Sequence, residues 1–133
     1  MATWHVQAPL DEDLIRNMTI GDIVYISGTA FTCRSRLQRW IFDEHHDMPD
    51  RTTKIDVLIH SGPIVLEEQD GYRLVSFMPT SSLRFEKWGA SSIEAWNLRM
   101  IVGKTTMGSE TSNMMVKRGC VHVSPQSVSP NLW

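Results

Sequence analysis

The sequence predicts a layered α/β domain, and three observations lead there. Short β-rich apolar runs recur: Ile23 to Ser27, Asp56 to His60, Tyr72 to Phe77 and Leu98 to Gly103. Stretches with helical spacing or helix-type ends stand between several of them. Gly, Pro and Asp-Gly signals punctuate the boundaries. Strands and helices that alternate in this way bury their apolar faces by stacking as layers.

The elements follow in order. Residues 1–20 read as an N-terminal arm, in which Asp11, Glu12 and Asp13 precede Leu14 and Ile15 and suit the start of a short helix. Gly21-Asp22 turns the chain into the strand Ile23 to Ser27, which Gly28 ends. In TAFTCRSRLQRWIFDEHH, Thr32 is placed as the cap of a helix whose apolar positions are Leu37, Trp40 and Ile41. Arg34, Arg36 and Arg39 fall on its polar face. MPDRTTK reads as a loop. The strand Asp56 to His60 is closed by Ser61-Gly62-Pro63, and LEEQDG reads as a second loop with a hairpin-type Asp70-Gly71 turn. The strand Tyr72 to Phe77 delivers the chain to Pro79. A helix from about Ser91 to Asn97 and the strand Leu98 to Gly103 follow. Then come a helix in SETSNMMVKRG stopped by Gly119 and a last strand in CVHVS. Residues 124–133 form a tail, and residues 1–133 make one domain.

A chain of 133 residues suits one core. Its net charge of −2 gives no broad basic face for nucleic acid or an anionic membrane. No apolar run nears the roughly 18 residues that span a bilayer. MATWHVQAPLDEDL lacks the regions of a signal peptide, so the expected location is cytoplasmic. Cys33 and Cys120 build neither a disulfide framework nor a four-cysteine metal or cluster site, and core packing or a site-lining thiol is expected of them. Asp43, Glu44, His45, His46 and Asp47 read as a solvated helix end rather than a metal site, because adjacent histidines diverge on a helix. Met100, Met107, Met114 and Met115 are expected in the core or an interface, and Trp4, Trp88, Trp96 and Trp133 on an oligomer surface. His60, on a buried strand, is a core or edge histidine whose nearness to Gly62-Pro63 leaves a site-lining role open.

The chemistry concentrates in Pro79-Thr80-Ser81-Ser82-Leu83-Arg84. Pro79 stiffens the turn. Hydroxyls and backbone N–H groups after it suit an anion. Arg84 adds a planar grip on a carboxylate. Arg34, Thr80 and Lys104 each follow soon after a predicted strand, where ligands of layered α/β domains often sit.

Four patches resemble the β subunit, or C-terminal domain, of class I fumarases and L-tartrate dehydratases. They are GDIVYISGTAFTCRSR, IHSGP, PTSSLR and IVGKTTMG, in family order from about residue 21 to 123. The resemblance implies a swivelling β/β/α domain that closes over an active site and takes part in reversible addition or elimination of water on a small carboxylate. It implies that Arg34, Arg84 and Lys104 neutralise carboxylates, that Thr80 takes part in proton transfer and that Ser81 is a second, substrate-binding hydroxyl. It also implies an iron–sulfur cluster held by an α-type partner subunit, with no cofactor on this chain. The sequence departs from the family at Ser35 and Gln38, where Asp and His are usual, and at Thr105, where glycine is usual. Two other readings of the same residues are a standalone, cofactor-free dehydratase, isomerase or cyclase, and a carboxylate sensor. A homodimer is the alternative to an α-type partner.

Overall fold

The computed structural model describes residues 1–49 and 54–126, and it is a three-layer β/β/α domain. The middle layer is a four-stranded, fully parallel sheet of Phe31–Cys33 (β3), Val57–His60 (β4), Met100–Val102 (β7) and Val121–Val123 (β8), in that spatial order. Alternate residues of its central strands point to opposite faces. Leu58 and Ile101 meet Ile41, Ile93, Trp96, Leu98 and Met115, which come largely from the helical layer. Val57, Met100 and Val102 meet Val6, Leu10 and Ile15 on the other side. That second face is covered by a parallel ribbon, Thr3–Gln7 (β1) with Ile23–Ser27 (β2), and by the short helix Glu12–Arg16 (α1).

Residues 1–20, read as an arm that opens a short helix, are built into the domain. They supply a strand and a helix, and the buried Asp56 carboxylate accepts the Leu10 N–H at 2.7 Å to hold them in place. Asp11 caps α1 as its acidic start requires, accepting the Asp13 N–H at 2.8 Å.

The helical layer consists of Glu86–Trp96 (α3), Ser109–Arg118 (α4) and a short helix, Ser35–Gln38 (α2), that widens into a π-turn over Arg39–Asp43. Thr32 does not cap α2. It lies within β3, and Arg34 takes the cap position without a side-chain bond. The helix placed at Ser91 begins at Glu86 instead, because the Ser82–Phe85 3-10 turn runs directly into it. Glu86 then closes the start of α4, accepting the Gly108 N–H at 2.7 Å and the Thr111 N–H at 3.3 Å. Gly119 ends α4 with φ +73, a conformation in which glycine meets no Cβ penalty.

The segment read as the LEEQDG loop is mostly strand. Ile64–Glu68 (β5) and Gly71–Ser76 (β6) form an antiparallel hairpin whose two-residue turn is Gln69-Asp70, one residue before the expected Asp70-Gly71, because Gly71 already pairs with Glu68. The hairpin exposes Ile64, Leu66, Tyr72 and Leu74. Trp88 and Trp96 are buried and do not cover an oligomer surface, and Trp4 is half-buried with its indole N–H on Asp22. Trp133 lies outside the described residues. Met100, Met107 and Met115 are core residues, with Met114 packed against them. No described helix is long and apolar enough to cross a membrane.

Candidate functional site

Four parallel strands end on one edge of the central sheet, and the predicted residues gather there. Arg34 follows β3, Ser61-Gly62-Pro63 follows β4, and Gly103-Lys104 follows β7. The Pro79–Arg84 loop comes from the hairpin and is laced onto this edge. The Thr80 N–H donates to the His60 carbonyl at 2.6 Å, the Lys104 N–H to the Thr80 carbonyl at 3.3 Å, and the Ser82 N–H to the Lys104 carbonyl at 2.8 Å. Ser81 and Lys104 thus pair as an isolated parallel bridge. Ser61 Oγ adds a bond to the Met78 carbonyl at 2.8 Å, and Pro79 is fully buried.

This lacing narrows one expectation. The N–H groups of Thr80 and Ser82 are spent on the sheet edge, and that of Arg84 on the Ser81 carbonyl at 3.3 Å. Three of the loop's N–H groups are therefore committed within the protein and do not face an anion. Thr80 and Ser81 are half-buried, and Arg84 is exposed on the 3-10 turn.

Thr80, Ser81 and Lys104 are brought together by direct bonding. Arg34 arrives from the next strand end, its stem lying over Gly62 so closely that a Cβ there would stand 2.9 Å from Arg34 Cδ. It also lines an open pocket with Thr32, Arg36, Arg39, Trp40 and Gly62. Arg84 shares the loop but bonds to none of the other predicted side chains. Among the described residues, Arg34, Arg84 and Lys104 form no ion pair, whereas Arg16, Arg73, Lys87, Arg99 and Arg118 each meet a carboxylate. Cations without an ion-pair partner, on segments that meet at one sheet edge with two hydroxyl residues, have the chemistry to neutralise a carboxylate and stabilise charge that develops on it.

Three residues, two of them at this edge, lack the role the sequence suggested or were given none. Ser82, the third hydroxyl, is fully buried, with Oγ 2.9 Å from His60 Nδ1 and 2.8 Å from His122 Nε2. Burial, helped by the charge of His122, pulls His60 down to about 4, and burial lowers His122 as well, so both rings are neutral near pH 7. Gly103 is the one clue in the sequence. A Cβ there would come within 2.0 Å of Ser82 Oγ. Gln38, at a position where the family often has histidine, donates to Ser92 Oγ at 3.2 Å from within the core. Thr105, in place of a glycine, holds φ +63, a conformation costly for a β-branched residue.

The two cysteines are core residues. Burial pushes both thiols up to about 12, and among the described residues no three His, Cys, Asp or Glu side chains group as a metal site. The donor set on this chain does not fit an iron–sulfur cluster.

Comparisons with known proteins place the chain in a family. A family model described as Fumarase C-terminus matches residues 3–126. The L(+)-tartrate dehydratase subunit beta of Escherichia coli (strain K12) is 32% identical over 116 residues, covering 86% of this chain and 57% of that protein. The putative fumarate hydratase class I of Geobacillus stearothermophilus is 29% identical over 120 residues, covering 90% of this chain and 23% of its own length. The putative L(+)-tartrate dehydratase subunit beta of Methanocaldococcus jannaschii is 27% identical over 113 residues, covering 83% and 57%. The chain therefore spans little more than half of these β subunits and about a quarter of that fumarase.

Proposed function

We propose, because this chain belongs to the fumarase C-terminus family, that it is the substrate-closing part of a hydro-lyase acting on a small carboxylate. The observation that carries the reading is the bonding of the Thr80–Arg84 loop to Lys104 at the strand edge where Arg34 also emerges. In this reading Arg34, Arg84 and Lys104 hold the carboxylates, with the arginines gripping bidentately and the lysine acting as a point charge. Ser81 binds a substrate oxygen. Thr80 takes part in moving a proton on the carbon beside a carboxylate, where negative charge builds and the cations oppose it.

A relative named as a β subunit supports an α-type partner for this chain too. The apolar surface of the hairpin, with Tyr72 74% exposed and Ile64 58% exposed, is consistent with such a contact. The cluster of the family would then sit on the partner, since this chain lacks the donors for it. The two reduced, buried thiols suit a cytoplasmic location.

Anaerobic co-expression with the product of the adjacent gene tests the reading. A complex that hydrates fumarate or dehydrates L(+)-tartrate, and loses this on Arg84→Ala, is the expected result. No complex and no turnover would overturn it. Turnover by this chain alone would instead support the standalone enzyme.

A further inference from the structure

Ser82 differs from the two hydroxyl residues before it. Its exposure is 0%, so its side chain is closed to a ligand. Its hydroxyl lies between His60 Nδ1 and His122 Nε2, and its N–H donates to the Lys104 carbonyl. One residue thus grips the end of β4, the segment after β7, and β8. A hydroxyl has one proton, so it donates to one ring and accepts from the other. Two neutral imidazoles in matching tautomers satisfy this chain in either direction. Two buried polar side chains, His60 and Ser82, with the half-buried His122 beside them, would be costly were they not bonded to each other. Bonded, they fix position more sharply than apolar packing does, because hydrogen bonds are directional. The absent side chain of Gly103 makes the room that the hydroxyl occupies, since a Cβ there would stand 2.0 Å from Ser82 Oγ, and the Phe85 ring lies 4.6 Å from that of His60.

We infer that Ser82 is a positioning residue, and that the His60–Ser82–His122 chain clamps the loop to three strand ends and so sets where Thr80, Ser81 and Arg84 stand. What those three do to a carboxylate rests on the function proposed above; the clamp does not.

Amide hydrogen exchange followed by NMR on the full chain tests the clamp, with calorimetry against L(+)-tartrate as the ligand probe. In Ser82→Ala, the amides of Thr80, Ser82 (the substituted residue) and Lys104 should exchange at least tenfold faster than in wild type. The amides of Leu58 and Ile101 should stay near their wild-type rates, and affinity for tartrate should fall by tenfold or more. His122→Gln keeps a donor or acceptor at the ε position and should restore protection to within about threefold. His122→Leu, of similar bulk, should not. Equal acceleration of loop and core amides, or equal protection by Leu and Gln, would overturn the clamp. If neither the wild-type chain nor its complex with the partner binds tartrate or fumarate, the proposed substrate class fails, and the exchange rates still decide the clamp by themselves.

Discussion

Gly103→Ala is the sharpest test of how this edge is built. The added Cβ would lie 2.0 Å from Ser82 Oγ, 3.3 Å from His60 Nδ1 and 3.4 Å from Ser82 Cβ. Gly103 is not a glycine with positive φ, so the backbone tolerates alanine and the cost is steric. Overpacking of this kind costs about 1–3 kcal/mol. Driving Oγ away also strands buried imidazole nitrogens, for about 1–3 kcal/mol more. The lower entropy of an unfolded alanine offsets about 0.4–1 kcal/mol. The net expectation is about 3 kcal/mol, which for a domain of this size lowers Tm by roughly 10 °C. Urea unfolding should show a lower midpoint with an unchanged slope. Ser82→Ala in the same chain removes the atom that clashes, so the double variant should recover about 1–2 kcal/mol beyond additivity. A Gly103→Ala protein within about 0.5 kcal/mol of wild type, or strict additivity, would refute the close packing described here.

Three further outcomes are expected. His60 ionises near 6.5 when unfolded but is pulled down to about 4 when folded, so folding excludes its proton. Its contribution is complete above pH 6.5 and is lost as pH falls towards 4, up to about 3 kcal/mol, and chemical denaturation across that window should show a slope that His60→Asn reduces. Thr105→Gly relieves the left-handed strain at φ +63 and should raise stability by about 0.5–1 kcal/mol in thermal unfolding, after the entropy of glycine is subtracted. Arg84→Lys keeps the charge of an exposed residue and loses the planar fork; its stability should lie within about 0.5 kcal/mol of wild type, while carboxylate affinity measured by calorimetry falls roughly tenfold.

Lys104 was legible at this edge because it follows the strand read from Leu98 to Gly103, whereas the strand read before Arg34, Ile23 to Ser27, belongs to the ribbon, and Arg34 reaches the edge from β3 instead. What no single strand could reveal was its neighbour order, which depends on pairings far apart in the chain. Phe31–Cys33 was read as the approach to a helix, since three residues carry little propensity and their strand form comes from pairing with Leu58, Ile59 and His60. The early start of α3 was hidden by Gly89, a poor helix residue that is needed because Thr111 Oγ1 would stand 2.1 Å from a Cβ there. Pro79–Arg84 stood out by composition, yet nothing local separates the half-buried Thr80 and Ser81 from the fully buried Ser82. That distinction is made by histidines 22 residues before and 40 residues after Ser82.

The strands of the central sheet are three or four residues long. At about 3.3 Å per residue, the edge that carries Thr80 and Lys104 lies only about 10 Å from the opposite one. There Asp56 anchors Leu10, and Arg99 ties the end of α4 to Glu12. A saturation mutagenesis map of this protein would therefore show intolerance at both edges alike, and activity scores by themselves would place Asp56 and Arg99 among the site residues. Separating the two groups takes a second, abundance-based score: substitutions at Asp56 and Arg99 should lower the amount of folded protein, and those at Arg84 and Lys104 should not.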